Sequence, residues 1–163
     1  MHDHEKEPIG HALHVLDTTM RRYIDTYSHK KEHESLTGTN TWVIQFIADH
    51  KDGPVYLRDI ERRFGITRST ASKVVDILVR NGFVERHTGE TDAPLRRLTL
   101  TKKSENLLAD IRADHEAMEA VLTKGFTQNE KETMLTYLRR AKINVDAAFA
   151  EKQQKKERSG ADG

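Results

Sequence analysis

Residues 57–81, LRDIERRFGITRSTASKVVDILVRN, contain two short amphipathic patterns separated by one glycine. Gly65 can take the left-handed conformation that ends a helix, and Thr67 can cap the next one. Behind this cap, apolar residues recur at the spacing of one helical face, at Ala71, Val74, Val75 and Leu78. The stretch therefore predicts a helix-turn-helix, a motif whose second helix enters the major groove of DNA.

The first turns of the second helix are polar, as expected for a helix that contacts DNA. They carry hydroxyls and cations, which suit base edges and phosphates, at Thr67, Arg68, Ser69, Thr70, Ser72 and Lys73. A helix N-terminus also presents free N–H groups and a partial positive charge, which favour phosphate. A simpler interpretation treats these hydroxyls as a capping cluster on a solvated helix.

The charge distribution favours DNA contact over simple capping. From Arg58 to Lys103 there are eleven Lys and Arg against six Asp and Glu, whereas the flanking sequence is acidic. The chain has no cysteine, which excludes disulfides, thiolate metal sites and cysteine-based catalysis. No run of about 18 apolar residues occurs, and the N-terminus lacks a signal-peptide pattern. We therefore expect a cytoplasmic protein without a membrane span.

Apolar spacing and turn residues predict the remaining elements. The second helix of the chain, Thr39–His50, is predicted to face the core with Trp42, Val43, Phe46 and Ile47. Thr101 can cap a long helix that stops at Gly125, and TQNE at 127–130 is a capping box. The predicted elements are helices over Ile9–Tyr27, Thr39–His50, 57–64 and 67–81, strands over Phe83–Thr88 and Leu95–Thr101, and helices over 102–124 and from 127 to about Phe149.

The best-matching part of the sequence, DIERRFGITRSTASKVVDILVRNGFVERH at 59–87 with Asp92 and LTLT at 98–101, resembles the MarR family of bacterial transcription regulators. The resemblance spans the first helix to the last, and its specific part is Asp59–Thr101. It implies a mainly α-helical winged helix-turn-helix fold in which the two-stranded hairpin is the wing. It also implies that Ser69, Thr70, Ser72 and Lys73 lie in the major groove.

The wing departs from the family pattern, which is Asp-x-Arg followed by Leu-x-Leu-Thr. Asp92 fits this pattern, but the family arginine, which commonly reaches the minor groove, falls at Pro94. Because side chains alternate along a strand, Arg96 points to the same face as position 94. Arg96 can therefore replace the missing contact, or Arg96 and Arg97 can contact phosphates only. The remaining alternative is that both are solvated surface arginines.

The terminal helices predict a homodimer. Both carry apolar stripes at the ends of the chain, and a monomer of this size would struggle to cover them; the alternative is that they pack on each other within one chain. In the family these helices pair across a twofold axis. The predicted organisation is a dimerisation helix over residues 1–34, a winged module over 35–103, C-terminal dimerisation helices over 104–150 and a mobile charged tail over 151–163.

Two further kinds of site are compatible with the sequence, a ligand pocket and a metal centre. MarR relatives often bind a small molecule beside the dimer helices, and an aromatic ligand could contact Tyr23, Tyr27, Trp42, Phe46 and His115, although such a stripe also suits a plain core. The histidine pairs His11/His14 and His29/His33 have metal-ligand spacing and Glu32 or Glu34 nearby, which keeps a zinc-responsive regulator as an alternative. Solvated histidines are the simpler interpretation, and no metal or cofactor is predicted.

The sequence as a whole predicts a DNA-binding transcription regulator, most simply a repressor that binds a pseudo-palindromic operator as a dimer and is released by a small effector. It contains no phosphate-binding loop, nucleophile elbow or His-Glu-x-x-His motif, so no enzyme activity is expected. The second hypothesis is a winged-helix protein-interaction module that does not bind DNA. Such a module would expose apolar residues at the second helix, where Arg68, Ser69 and Thr70 are all polar.

Overall fold

The computed structural model of the chain describes residues 7–26, 36, 38–50, 53–88 and 96–161. The chain divides into two compact units, Met1–Met118 and Glu119–Gly163. Within the described residues the elements are α1 (Ile9–Ile24), α2 (Thr39–Asp49), α3 (Leu57–Phe64), α4 (Arg68–Arg80), β1 (Val84–Thr88), β2 (Arg96–Leu100), α5 (Lys102–Leu122) and α6 (Gln128–Ala161). This order matches the predicted mainly helical fold with one hairpin.

The core of the first unit lies between α2, the helix-turn-helix, the hairpin and α5. Its fully buried members come from all of these elements and include Ile44, Ile60, Val75, Leu78, Phe83 and Ile111. Their apolar surfaces are removed from water, which is the main favourable contribution to folding. The helix-turn-helix is therefore supported on its inner side, and its outer side is left to the polar residues.

Local signals explain how α3 and α4 are joined. Gly65 has φ 62° and ψ 34°, the left-handed conformation that few other residues adopt readily. At the start of α3, the carboxylate of Asp59 accepts a bond of 2.9 Å from the Tyr56 N–H and also pairs with Arg62 at 2.9 Å. Both contacts of this carboxylate are therefore structural, because it caps the start of α3 and pairs with Arg62.

The hairpin is antiparallel, with Val84 opposite Leu100, Arg86 opposite Leu98, and Thr88 opposite Arg96. Val55, which precedes α3, forms a bridge to the outer edge of β2, where the Leu98 N–H donates to its carbonyl at 2.8 Å. Leu98 is buried, whereas Arg96 and Arg97 are exposed. The base of the hairpin is therefore fixed in the core, and the polar part of β2 extends beyond it.

The long helices begin at the predicted caps. The Ser104 N–H donates to Thr101 Oγ1 at 3.4 Å, and the Thr127 N–H donates to Glu130 Oε2 at 2.7 Å. The last helix does not end near Phe149 as predicted but continues to Ala161. Lys, Glu and Gln between residues 151 and 158 are good helix formers, so apolar periodicity is not required for this extension. Residues 151–161 are therefore helical rather than an irregular tail.

Two predicted core positions need correction. The sequence pattern turns Trp42 inward, but its side chain is 47% exposed, while the neighbouring Ile44 is fully buried. Phe46 is only partly buried. A helical stripe predicted from spacing can be rotated by one residue, which is the difference seen here. None of the helices in the described parts of the chain is long and apolar enough to cross a membrane.

Candidate nucleic-acid interface

The N-terminus of α4 is built as a capped helix start. Thr67 adopts the extended conformation of an N-cap residue, and its Oγ1 accepts a hydrogen bond of 3.2 Å from the Thr70 N–H. The hydroxyls of Thr67 and Thr70 also lie 2.9 Å apart. Two of the hydroxyls predicted to contact DNA thus also stabilise the helix start, in agreement with the simpler interpretation.

The other polar residues in the first two turns of α4 differ in solvent exposure and in hydrogen bonding. Arg68, Ser69 and Lys73 are exposed. Ser72 is half-buried, and its hydroxyl donates to Asp76 at 3.4 Å. Among the described residues, no carboxylate forms an ion pair with Arg68 or Lys73. These side chains therefore present hydrogen-bonding groups to solvent at the end of the helix that carries a partial positive charge.

An ion pair joins this helix to the hairpin, and the sequence did not predict it. Arg86 on β1 contacts Asp76 on α4, with Nη2 and Oδ1 separated by 2.6 Å. Asp76 is also the carboxylate that accepts from Ser72. The side chain of Arg86 is about three-quarters shielded from solvent, whereas Asp76 is nearly half exposed. The pair joins β1 to the third turn of α4.

The two arginines of β2 lie on opposite faces of the hairpin. Arg96 alternates with Leu98 and Leu100, and therefore lies on the face that packs against the core. Arg97 lies on the other face, opposite His87, which bonds through Nε2 to Thr99 Oγ1 at 2.7 Å. Both arginines are exposed at the end of the hairpin. Asp92 and Pro94, on which the predicted departure at the tip rests, lie outside the described residues.

The first unit also contains a small cavity beside α2 and α5. Its volume is about 60 Å³, and its lining is mostly apolar: Met20, Ile24, Leu36, Gly38, Thr41, Trp42, Ile111, Asp114, His115 and Met118. Sites for drug-sized ligands measure roughly 300–1,000 Å³. In this conformation the cavity is therefore too small for an aromatic ligand of ordinary size.

Of the described residues that were predicted to line a pocket, two line this cavity, Trp42 and His115. The rings of Trp42 and His115 stack with centroids 3.5 Å apart, and His115 is bonded to Thr41 at 3.1 Å and to Gln45. Phe46 packs edge-on against Phe64 instead. Tyr23 does not line the cavity, and Tyr27 lies outside the described residues. The sequence missed the aliphatic and methionine residues because they come from α1, α5 and Leu36, which lie far apart in the chain.

The predicted histidine pairs do not assemble a metal centre within the described residues, where no group of three or more ligating side chains occurs. His11 bonds to Glu7 at 2.8 Å, one helical turn away. His29, His33, Glu32 and Glu34 lie outside the described residues. The described residues therefore provide no zinc site for the alternative of a zinc-responsive regulator.

These features define a winged helix-turn-helix with polar and cationic groups on its second helix and wing. A family model described as MarR family matches residues 35–93. The chain is 23% identical over 125 residues to the uncharacterised HTH-type transcriptional regulator YybA of Bacillus subtilis (strain 168), covering 77% of this chain and 83% of that protein. The winged module of the chain is therefore similar to those of MarR-family transcription regulators.

Solved structures show the same similarity. The transcription regulator MarR from Oenococcus oeni PSU-1 is 25% identical, with a TM-score of 0.70 over 82% of this chain and 98% of that one. The S. aureus MepR–DNA complex shares the fold at 18% identity, with a TM-score of 0.73 over 86% of this chain and 99% of that one. A putative MarR-family regulator from Listeria monocytogenes, complexed with 26mer DNA, has a TM-score of 0.72 and 21% identity, covering 86% of this chain and 90% of that one. The matching family model and the shared fold are those of transcription regulators.

Proposed function

We propose that this protein is a sequence-specific DNA-binding transcription regulator that binds a pseudo-palindromic operator as a homodimer. The observation that carries the proposal is the exposed polar set Arg68, Ser69 and Lys73 at the N-terminus of α4. Hydroxyls and cations there can contact bases and phosphates, whereas a surface that binds proteins would expose apolar groups. Two proteins of the same fold have been solved in complexes with DNA.

The wing would add contacts outside the major groove. Arg96 and Arg97 are exposed on opposite faces of β2, so at least one of them can face the DNA backbone whichever way the hairpin lies. Phosphate contacts of this kind fix the register of the protein on the duplex, and base contacts supply the specificity. In this proposal the module over residues 35–103 contacts DNA, while the helices on either side hold the dimer together.

The homodimer rests on apolar side chains that each unit leaves exposed. In α1 these are Ile9, Leu13, Val15 and Tyr23, and in α6 they are Leu135, Tyr137, Leu138, Ile143, Val145 and Phe149. Exposed apolar groups of this number on two helices are typical of an interface. A twofold dimer would place two α4 helices about one DNA turn, roughly 34 Å, apart.

The dimer can be tested directly. Sedimentation velocity of Ile143→Glu should show a monomer, because a carboxylate would be buried without a partner. The adjacent Asn144→Glu places the same charge at an exposed polar position and should remain dimeric. If both variants sediment as the unmodified protein does, α6 does not hold the dimer at this position.

Repression and release by an aromatic effector form the finer part of the proposal. A bound repressor blocks transcription by occupying DNA, so the protein would work in the cytoplasm, where bacterial DNA lies. The cavity beside Trp42 and His115 would have to enlarge to accept a phenolic acid. A thermal-shift screen with phenolic acids tests this step, and the absence of a shift with any of them would count against it.

Selection of bound DNA from a random pool, followed by gel shifts in increasing salt, is the decisive experiment for DNA binding. An enriched palindrome with half-sites about one turn apart is the expected result. Weak binding without enrichment would favour the protein-interaction module instead. Tight binding to a site without twofold symmetry would contradict the dimer arrangement but not the DNA-binding function.

A further inference from the structure

The turn that follows α4, residues 81–83, receives an unusual number of side-chain bonds from the start of α5. Lys103 Nζ donates to the Asn81 carbonyl at 3.0 Å. The same ammonium lies 4.3 Å from the centroid of the Phe83 ring. The last carbonyls of a helix lack partners within it and carry partial negative charge, so a cation there is favourable. The ammonium of Lys103 is thus directed at the end of α4.

Two hydroxyls complete the set. Thr101 Oγ1 donates to the Gly82 carbonyl at 2.7 Å, and Ser104 Oγ donates to the Phe83 carbonyl at 2.6 Å. Ser104 and Phe83 are both fully buried. Three consecutive carbonyls therefore each accept a bond from Thr101, which precedes α5, or from the first turn of α5. We call Thr101, Lys103 and Ser104 the α5 clamp.

We infer that Lys103 is a positioning residue for α4, acting through the α5 clamp, and not a contact to DNA phosphate. The inference rests on the proposed DNA-binding function. The basic excess of residues 58–103 includes Lys103, so charge alone would assign it to DNA. Lys103 and Lys73 are both exposed, but the ammonium of Lys103 is bonded to the Asn81 carbonyl at the end of α4. Within the described residues, no such bond holds Lys73, which lies nearer the other end of the helix. Base contacts depend on where the helix lies, which the α5 clamp fixes at its C-terminal end.

A phosphate contact and a positioning residue have different dependence on salt. Each phosphate contact contributes about 0.9 to the slope of log affinity against log salt, so removing one per protomer lowers the slope of a dimer by about 1.8. Removing a positioning residue leaves that slope unchanged and weakens binding to the operator more than to random DNA. Lys103→Met removes the ammonium and keeps an unbranched side chain of similar length.

The matched control is Lys102→Met. Lys102 is the adjacent residue, and its ammonium lies 3.3 Å from Glu105 rather than on the turn. Affinity for the selected operator and for random DNA is measured across a salt series, together with the midpoint of thermal unfolding. For Lys103→Met we expect operator affinity to fall about tenfold, with the slope, random-DNA affinity and midpoint unchanged. Lys103→Arg, which retains a donor cation, should recover most of the affinity, and Lys102→Met should behave as the unmodified protein.

Two results would overturn the inference. A slope reduced by about 1.8 for Lys103→Met would make Lys103 a phosphate contact. A lowered unfolding midpoint with equal reductions in affinity for operator and random DNA would make its role only structural. Hydrogen exchange of the free protein provides a test without DNA, because Lys103→Met should speed exchange of the amides at 81–83. Unchanged exchange there would also contradict the inference, whereas failure of the unmodified protein to bind DNA would concern only the proposed function.

Discussion

Arg86 and Asp76 form an ion pair of 2.6 Å between the first strand of the wing and the second helix of the helix-turn-helix. Asp76 also accepts from Ser72, which lies one turn nearer the N-terminus of α4. The two surfaces proposed to contact DNA are therefore joined by side chains as well as by the chain. Moving the wing should change how α4 lies.

Breaking this pair should weaken operator binding more than it lowers stability. Since one partner is nearly half exposed, a coupling of about 0.5–1 kcal/mol is expected from a double-mutant cycle of Arg86→Met and Asp76→Asn. The cycle is measured both in operator affinity and in free energy of unfolding. Additive effects on affinity would show that the pair does not link the wing to α4.

The wing arginines are expected to contribute mainly salt-dependent affinity. Arg96→Ala combined with Arg97→Ala should weaken operator binding and flatten its salt dependence, by about 0.9 in slope for each phosphate that an arginine had neutralised. The two single variants show which face of β2 contacts DNA, because Arg96 lies on the same face as Leu98 and Arg97 lies on the opposite face. An unchanged slope in the double variant would leave both as surface arginines.

Ser69 and Lys73 on α4 should affect DNA binding in different ways. Lys73→Ala removes a charge and should lower affinity for operator and random DNA alike, together with the salt slope. Ser69→Ala removes only a hydroxyl, so it should cost about 1–3 kcal/mol at the operator if the hydroxyl contacts a base edge, and relax the base preference there. Selection of bound DNA with each variant checks both expectations. An identical selected sequence with Ser69→Ala would contradict the base contact.

The start of α6 should weaken in acid. Bonds from the Thr127 N–H and hydroxyl hold the pKa of Glu130 below its usual value. A group with a lowered folded pKa stabilises the fold above its unfolded pKa of about 4.3 and no longer contributes once pH falls through the folded pKa. Glu130→Gln should therefore remove part of the acid sensitivity of thermal unfolding between about pH 5 and pH 3. Glu132→Gln leaves the cap intact and is the control; equal profiles for the two variants would exclude a role for the cap.

Local sequence signals predicted the helix-turn-helix, the hairpin and the caps, because each depends on residues a few positions apart. Gly65, Thr101 and Thr127 all have the roles that their positions indicated. The predicted end of α6 was wrong, because the helix continues to Ala161 without an apolar pattern. The predicted inward direction of Trp42 was also wrong, because the apolar stripe of a helix can be rotated. Spacing along one helix does not fix which residue faces another element.

Contacts between secondary-structure elements could not be predicted from the sequence. The pair of Arg86 and Asp76 spans ten residues and depends on the angle at which β1 leaves α4. The cavity collects side chains from α1, α2 and α5, which lie far apart in the chain. The α5 clamp joins residues about twenty positions apart. Each of these contacts depends on tertiary packing. The sequence around a lysine or a hydroxyl residue does not show which carbonyl its side chain will bind.

The bridge from Val55 to Leu98 has a consequence for the behaviour of the protein at high concentration. A two-stranded hairpin has two open edges, and an open edge can pair with the same edge of another molecule to start aggregation. Val55 pairs with Leu98 in the middle of β2. The unpaired backbone on either side of this bridge, within the described strand, is therefore too short to pair with a strand of another molecule. A protein whose wing must stay uncovered for its target is thereby protected from self-assembly through the β2 edge of that wing.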